Sequence, residues 1–319
     1  MNLNLYIAKK IKGNKGGSGK LSTLSNSIAC ASVAISIVVM FMAIAISDGF
    51  KKEIRDTSVG FSGEVLLVAP GQSITNDLYP ISGTPSYLDK VKGLKGVKSV
   101  DGVAYKAGML KTDESVQGLF FKGVDSTYSL EFYQKYLIEG RLPDFSGKRI
   151  SNEILISERL ADLMNYKCGD EIVAYFLGNN VRVRKFTITG LFSVQLEELD
   201  KTISIVDIRH TRRLNGWKED DVSSIEILLE HNSDTRRVVT DIERVILENP
   251  AEDASVVVSN IRHIYPNIFD WLDLLNLNVL IILVLMIVVA GFNMISGLLI
   301  ILFEKTSMIG ILKALGMRT

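Results

Sequence analysis

Two uncharged apolar stretches, residues 25–47 and 274–303, frame the chain. Each is long enough to cross a bilayer, for which roughly 20 apolar residues suffice. The first is longer than the roughly 7–15 apolar residues of a signal-peptide core, and residues 48–56 read as the same helix emerging into water. Although Ala43-Ile44-Ala45 mimics a cleavage site, an uncleaved anchor is therefore expected. The second stretch runs straight into EKTSMIGILKALGMRT, residues 304–319. There Ile309, Leu312 and Leu315 fall on one helical stripe with Glu304, Lys305, Lys313 and Arg318 around it, a pattern suited to docking in a groove.

Between the two stretches the pattern changes to short alternating or β-branched runs. These predict strands at residues 63–68, 100–110, 117–123, 152–156, 171–176, 182–189, 202–206, 223–229 and 255–258. Helices are predicted at 86–92, 157–165, 207–215 and 234–247. Ser157, ahead of Leu160 and Leu163, reads as a helix start, and Asp234 precedes the apolar series Val238, Ile242, Val245 and Ile246. Pro266 opens the helix that becomes the second span, with Tyr265 and Trp271 at the outer interface, where amphipathic aromatic rings are favoured. A connecting region of about 220 residues is enough for a substantial core and for two subdomains.

Composition agrees with a soluble domain carried on few membrane helices. With 47% hydrophobic residues and a mean hydropathy of +0.23 the 319 residues are too apolar for an ordinary soluble protein, and with 23% charged residues too polar for a polytopic bundle. The net charge of zero hides an asymmetry. Five lysines and no acid precede Ser25, residues 48–273 hold 35 acidic against 28 basic residues, and the tail after Phe303 is positive again. The positive-inside tendency places both ends in the cytoplasm and the acidic middle outside. No basic, aromatic-interleaved patch argues for nucleic acid.

Residues 2–11 set Leu3, Leu5, Ile7, Ala8 and Ile11 beside three lysines, which suits a short helix in the inner interface or a partly ordered tail. The following GNKGGSGKLS fails as a phosphate loop, with Asn14 where the first glycine belongs and Leu21 where Ser or Thr belongs, and reads as a flexible basic linker. Cys30 lies in a span and Cys168 outside, so the two are not expected to pair.

No constellation carries enzymatic chemistry. His210, His231 and His263 are isolated from one another and from cysteine at metal-ligand spacing, and the serines lack a nucleophile-elbow context. No catalytic, cofactor or metal site is expected in this chain. The Arg182, Arg184, Lys185 cluster and the Glu197, Glu198, Asp200 group read as solvated surface charge. Asn293 and Ser296, inside the second span beside Gly291 and Gly297, suit either interhelical packing or a substrate path.

FNMISGLLIILFEKTSMIGILKALG (292–316) resembles the second membrane helix and coupling helix of the FtsX/MacB-like ABC permease superfamily. SNSIACASVAISIVVMFMAIAISDGFKKEIR (25–55) is similar to the first membrane helix of its lipoprotein-releasing permeases. EGRLP (139–143) and EILISERLADLMNYKCGDEIVAYF (153–176) resemble the superfamily's extracytoplasmic core. The fold class implied is a membrane protein with α-helical transmembrane segments and an inserted α+β extracytoplasmic domain, the MacB-like periplasmic core. Its parts are a cytoplasmic basic N-terminus (1–24), a first span (25–47), the extracytoplasmic domain (48–270), a second span with an outer extension (271–303) and a coupling helix (304–319). Superfamily members carry four membrane helices, so two more are expected beyond this chain.

The resemblance implies a multi-pass subunit of the bacterial inner membrane that hydrolyses no ATP itself; ATP and Mg²⁺ belong to a partner ABC ATPase. That partner would hold the coupling helix through Glu304, Lys305, Ile309, Gly310, Leu312, Lys313, Leu315 and Gly316. A second permease subunit, identical or not, would complete the transporter. A lipid-anchored protein would be drawn from the outer leaflet along a path lined by Phe41, Met42 and Ala45 with Asn293 opposite, and passed to a soluble periplasmic carrier. The best-known carrier-binding relatives have a longer, proline-bearing hairpin where this chain has only residues 177–181. Alternatives from the same resemblance are an FtsX-like regulator of cell-wall hydrolases and a MacB-like efflux permease. A two-span sensory receptor shares the topology but continues into a long signalling helix.

Overall fold

In a computed structural model of the chain, the described residues are 19–71, 79–112, 115–177, 180–230, 233–249, 256–264 and 266–314. The expected interfacial helix at residues 2–11 lies outside them, as do His231, Tyr265, Leu315 and Gly316. The chain divides into two units, one of residues 53–268 and one formed by the segments up to Lys52 and from Phe269 onward.

Two helices dominate the second of these, Gly19–Ser62 and Pro266–Ala314. Both are long and apolar enough to cross a membrane, and Ile35, Phe41, Val284, Leu285 and Phe292 stand exposed along them. Outward apolar area on that scale suits hydrocarbon rather than water. Two expectations are revised. The first helix already includes residues 19–22, which read as the end of a linker; no helix breaker stands between Lys20 and the span. The second runs unbroken through residue 303 to Ala314, so the docking segment continues the span as far as it is described. Glu304-Lys305-Thr306 contains no breaker, and the Thr306 hydroxyl donates to the Leu302 carbonyl at 2.9 Å.

The other unit is α+β. Its strands are β1 (Val65–Val68), β2 (Ile81–Ser82), β3 (Val97–Lys111), β4 (Val116–Val124), β5 (Leu137–Gly140), β6 (Glu153–Ser157), β7 (Glu171–Phe176), β8 (Arg182–Phe192), β9 (Ile203–Asp207), β10 (Asp221–Val222), β11 (Ser224–Leu229) and β12 (Val257–Asn260). Ten form one sheet in the order β12-β1-β11-β3-β4-β9-β6-β8-β5, with β7 bridging β3 and β8, while β2 pairs with β10. The β4/β9 and β6/β8 pairs are parallel and the others antiparallel. Following the pairings, β3-β4-β9-β6-β8-β7 returns to β3 and closes a six-stranded ring. It is thinnest at Leu155↔Ile205 and at Met109↔Tyr175 and Leu110↔Ala174. Phe121, Ile154, Phe176, Phe186 and Ile188 fill the ring, with the Phe121 and Phe176 centroids 4.8 Å apart. The remaining strands, β12-β1-β11 with the first half of β3, form an open antiparallel sheet. Helices Leu88–Lys92 and Thr235–Glu248 pack there through Val91, Val238 and Ile242 onto Val65, Leu67, Ile225 and Ile227.

Strand β3 belongs to both halves. Residues 97–103 pair with β11 and residues 104–111 with β4. Successive strand residues face opposite sides, yet Val103, Ala104 and Tyr105 are all buried, because both faces are covered at the crossing.

The helix starts read from the sequence are capped as expected. Ser157 Oγ accepts from Leu160 N at 3.0 Å, and Asp234 Oδ1 accepts from Arg236 N and Arg237 N at 3.1 and 3.4 Å. The sequence pattern missed β2, β5, β10 and the helices Glu131–Lys135, Glu197–Thr202 and Ile261–Ile264. All are six residues or fewer, too short for a period to emerge.

Candidate functional site

The structure places the described ones among the expected site residues on the two long helices. Glu304, Lys305, Ile309, Gly310, Leu312 and Lys313 all lie in the last three turns described, with Gly310 and Lys313 exposed. Of the path residues, Phe41 is 70% and Met42 56% exposed, and Ala45 is exposed beside them on the first helix. Asn293 is half-buried on the second helix, on a stripe with Leu283, Met286, Ala290 and buried Gly297. The matching half-buried stripe on the first helix is Ser32, Ser36, Met40, Ala43 and Ser47 rather than Phe41, Met42 and Ala45. Small residues on such a stripe permit close helix approach, and Ser36 returns its hydroxyl to the Ser32 carbonyl at 2.9 Å. Between the two helices, Phe50 meets Trp271 edge-on at 5.7 Å. Lys51 bridges Asp48 at 2.8 Å and donates to Asn276 Oδ1 at 2.7 Å. Such aromatic and long cationic side chains are those a membrane interface favours.

Residues 53–62, the end of the first helix, are built into the α+β unit. Ile54, Thr57, Ser58, Phe61 and Ser62 are buried. Phe61 packs among the rings of Phe132, Tyr133 and Phe192 at 5.4–6.0 Å. Gly63, at φ +74°, stops the helix with its N–H on the Val59 carbonyl at 2.7 Å, and Glu64 N donates to Ile227 O at 2.9 Å.

Against this helix end lies a buried charge cluster. Lys122 of β4 has a fully buried side chain, and its three ammonium protons meet three acceptors: Glu226 Oε2 at 2.7 Å, Tyr128 Oη at 2.9 Å and the Phe61 carbonyl. Glu226 of β11, 4% exposed, also accepts from Tyr105 Oη at 2.9 Å and from Tyr128 Oη at 3.2 Å. Burial pushes the Lys122 ammonium below its ordinary pKa against the pull of Glu226, and burial first, then Glu226, raises Tyr128 well above its own. The sequence reading overlooked this cluster. Its signal was one charge inside each of two otherwise apolar strand segments, LFFKGV and SIEILL, of opposite sign.

Two charged groups read as surface, Asp200 and Arg182, and the isolated His210 take on structural roles. Asp200 is only 3% exposed: its carboxylate accepts from Val194 N at 3.3 Å, its carbonyl accepts from the Ser157 hydroxyl, and burial raises its pKa. The surface reading of Asp200 fails because its carboxylate turns back onto the backbone at Val194 rather than out to water. Arg182 caps helix Ile208–Asn215 by donating to Arg213 O at 2.9 Å. His210 is buried against the edge of Phe186, with Nε2 3.1 Å from Ser151 O and 3.0 Å from Asn152 Oδ1, and burial lowers its pKa. Both cysteines are free, and among the described residues no group of three His, Cys, Asp or Glu side chains is gathered for a metal.

Residues 27–245 match the family described as the MacB-like periplasmic core domain. The chain is similar to the lipoprotein-releasing system transmembrane protein LolC of Neisseria meningitidis serogroup B (strain ATCC BAA-335 / MC58), 22% identical over 325 residues, covering 99% of this chain and 74% of the relative. LolC of Xylella fastidiosa (strain Temecula1 / ATCC 700964) is 22% identical over 306 residues, covering 89% and 67%. Among solved structures, the extracellular domain of the noncanonic ABC-type transporter YknZ from Gram-positive bacteria aligns with a TM-score of 0.41 at 16% identity, over 62% of this chain and 98% of that one. The periplasmic region of MacB from Actinobacillus actinomycetemcomitans aligns at 0.44 and 13%, over 66% and 94%. With an α+β unit set in sequence between two membrane-length helices, and a family match that starts inside the first helix and crosses most of that unit, the chain belongs to the family of the MacB-like periplasmic core domain.

Proposed function

We propose that the chain is a permease subunit of a mechanically coupled ABC transporter that releases lipid-anchored proteins from the outer leaflet of the inner membrane. The observation that carries this reading is the likeness to two lipoprotein-releasing proteins, which in the first case extends over 99% of the chain, membrane helices included. On this reading both termini are cytoplasmic, residues 53–268 are periplasmic, and a partner ATPase grips residues 304–316. Closure of that ATPase around nucleotide moves the second long helix, and a second permease subunit completes the path. Phe41, Met42 and Ala45 then serve as the apolar wall that acyl chains demand, since each buried methylene is worth about 0.8 kcal/mol. Asn293 acts from the helix seam. Efflux of the MacB type and control of a cell-wall hydrolase are the outcomes to be told apart from lipoprotein release.

The test is a complex of this chain, a second permease subunit and a candidate ABC ATPase reconstituted in proteoliposomes. Leu312→Asp and Leu315→Asp should abolish substrate-stimulated ATP hydrolysis, because a charge forced into an apolar groove loses hydration without gaining a partner. Lys313→Ala should leave it near the parental rate. Parental stimulation in Leu312→Asp would refute the docking role, and stimulation by a soluble efflux substrate but not by a lipid-anchored protein would replace the substrate class.

A further inference from the structure

The Lys122–Glu226 cluster sits where three structural parts meet. Lys122 lies on β4, in register with Tyr105 of β3, and Glu226 lies on β11, in register with Asp101 of β3. Asp101, Val103 and Tyr105 alternate onto one face of β3, so the two charges flank the point at which β3 passes from the open sheet to the ring. On that face rests the helix end, whose Phe61 carbonyl takes the third ammonium proton. A backbone carbonyl in a last helical turn has no acceptor role within the helix and carries partial negative charge, so a buried ammonium completes it. Close packing brings the helix to this point: a β-carbon at Gly60 would stand 2.1 Å from the Phe132 ring, so this position admits no side chain as packed.

We propose that this cluster is a three-way latch that joins the end of the first long helix, the open sheet and the ring, so that the three hold or part as one. The chemistry makes the joint all-or-none. Withdrawing the helix end removes one of the three acceptors of a fully buried ammonium, and separating β4 from β11 leaves both charges buried and unpaired. In each half-open state a charge still enclosed by the remaining contacts has lost a partner, so partial opening is disfavoured relative to the closed state. Apolar contacts alone, being non-directional, do not impose this. The latch is a property of residues 53–268 and does not depend on what is transported.

Hydrogen exchange read by mass spectrometry on the full chain in detergent micelles tests it. In Lys122→Met and in Glu226→Gln, amides of residues 57–63, 101–105 and 224–228 should all exchange faster by a common factor of roughly 100-fold or more, the loss expected when one partner of a buried pair is removed. Amides of β7 and of residues 182–188 should keep parental rates. The double variant Lys122→Met, Glu226→Met removes both charges and should restore residues 101–105 and 224–228. It should leave residues 57–63 fast, because the Phe61 carbonyl still lacks its donor; if the single variants fail to accumulate, this contrast decides the matter. A uniform rise across the domain, or full protection of residues 57–63 in the double variant, would overturn the latch in favour of a merely stabilising pair.

Discussion

At Gly140 the backbone turns with φ +79°, and a β-carbon there would lie 2.3 Å from the Thr189 carbonyl oxygen and 2.6 Å from Cys168 Sγ. Any side chain meets both a strained conformation and rigid backbone, so Gly140→Ala should destabilise the domain by about 3 kcal/mol, a sum of left-handed strain and overpacking. A lowered denaturant midpoint for the full chain would show it, whereas Gly118→Ala, with open space around it, should change little. This gives the EGRLP motif a physical reason that the sequence resemblance lacked. Single residues were otherwise the least legible scale. Asp200 carries no local mark of burial, and the mark at Lys122 is only a lone charge in an apolar run, because burial is decided by strands and turns far away in sequence.

Elements were more legible, and for identifiable reasons. Strands β6 and β9 are β-branched runs buried on both faces, and helix Thr235–Glu248 announces itself by its cap and its period. The segment after β5 has no period and is held instead by side chains. Arg141 pairs in a forked contact with Glu153, which also accepts from Asp144 N at 2.7 Å, while Arg209 reaches the carbonyls of Gly147 and Arg149 at 2.8 and 3.1 Å. The Arg141 hydrogen bond, ahead of the Asp144 amide, holds Glu153 below its usual carboxylate range. A depressed folded-state pKa contributes stability that is complete above the unfolded value, 4.5, and is lost as pH falls through the lower folded value. The denaturant midpoint of the parent should therefore drop more than that of Arg141→Ala between about pH 6 and pH 3. Equal drops would assign the acid sensitivity elsewhere.

For the whole molecule, two membrane-length helices and an intervening α+β body could be read from hydropathy and strand spacing, since those signals are summed over many residues. The closed ring could not, because it depends on a few pairings between β3 and β7 and between β6 and β9. Orientation rests on charge asymmetry and is open to direct measurement. In a variant lacking Cys30 and Cys168, a cysteine at position 148, whose side chain is exposed, should react with an impermeant reagent added to intact cells with a permeabilised outer membrane. One at position 12 should react only after lysis; the reverse pattern inverts the topology and with it the proposed function.

The unbroken second helix has a mechanical corollary. Its 49 residues, at a rise of 1.5 Å each, make a rod about 73 Å long. A bilayer with its headgroups is only about 40–45 Å thick, so some 30 Å of rod must extend beyond it. A stiff rod of that length is a lever: tilting it by about 10° about one end sweeps the other through roughly 13 Å, whereas a hinge at Phe303 would dissipate the same input as local bending. Two adjacent glycines placed there should shorten the stroke without touching either end.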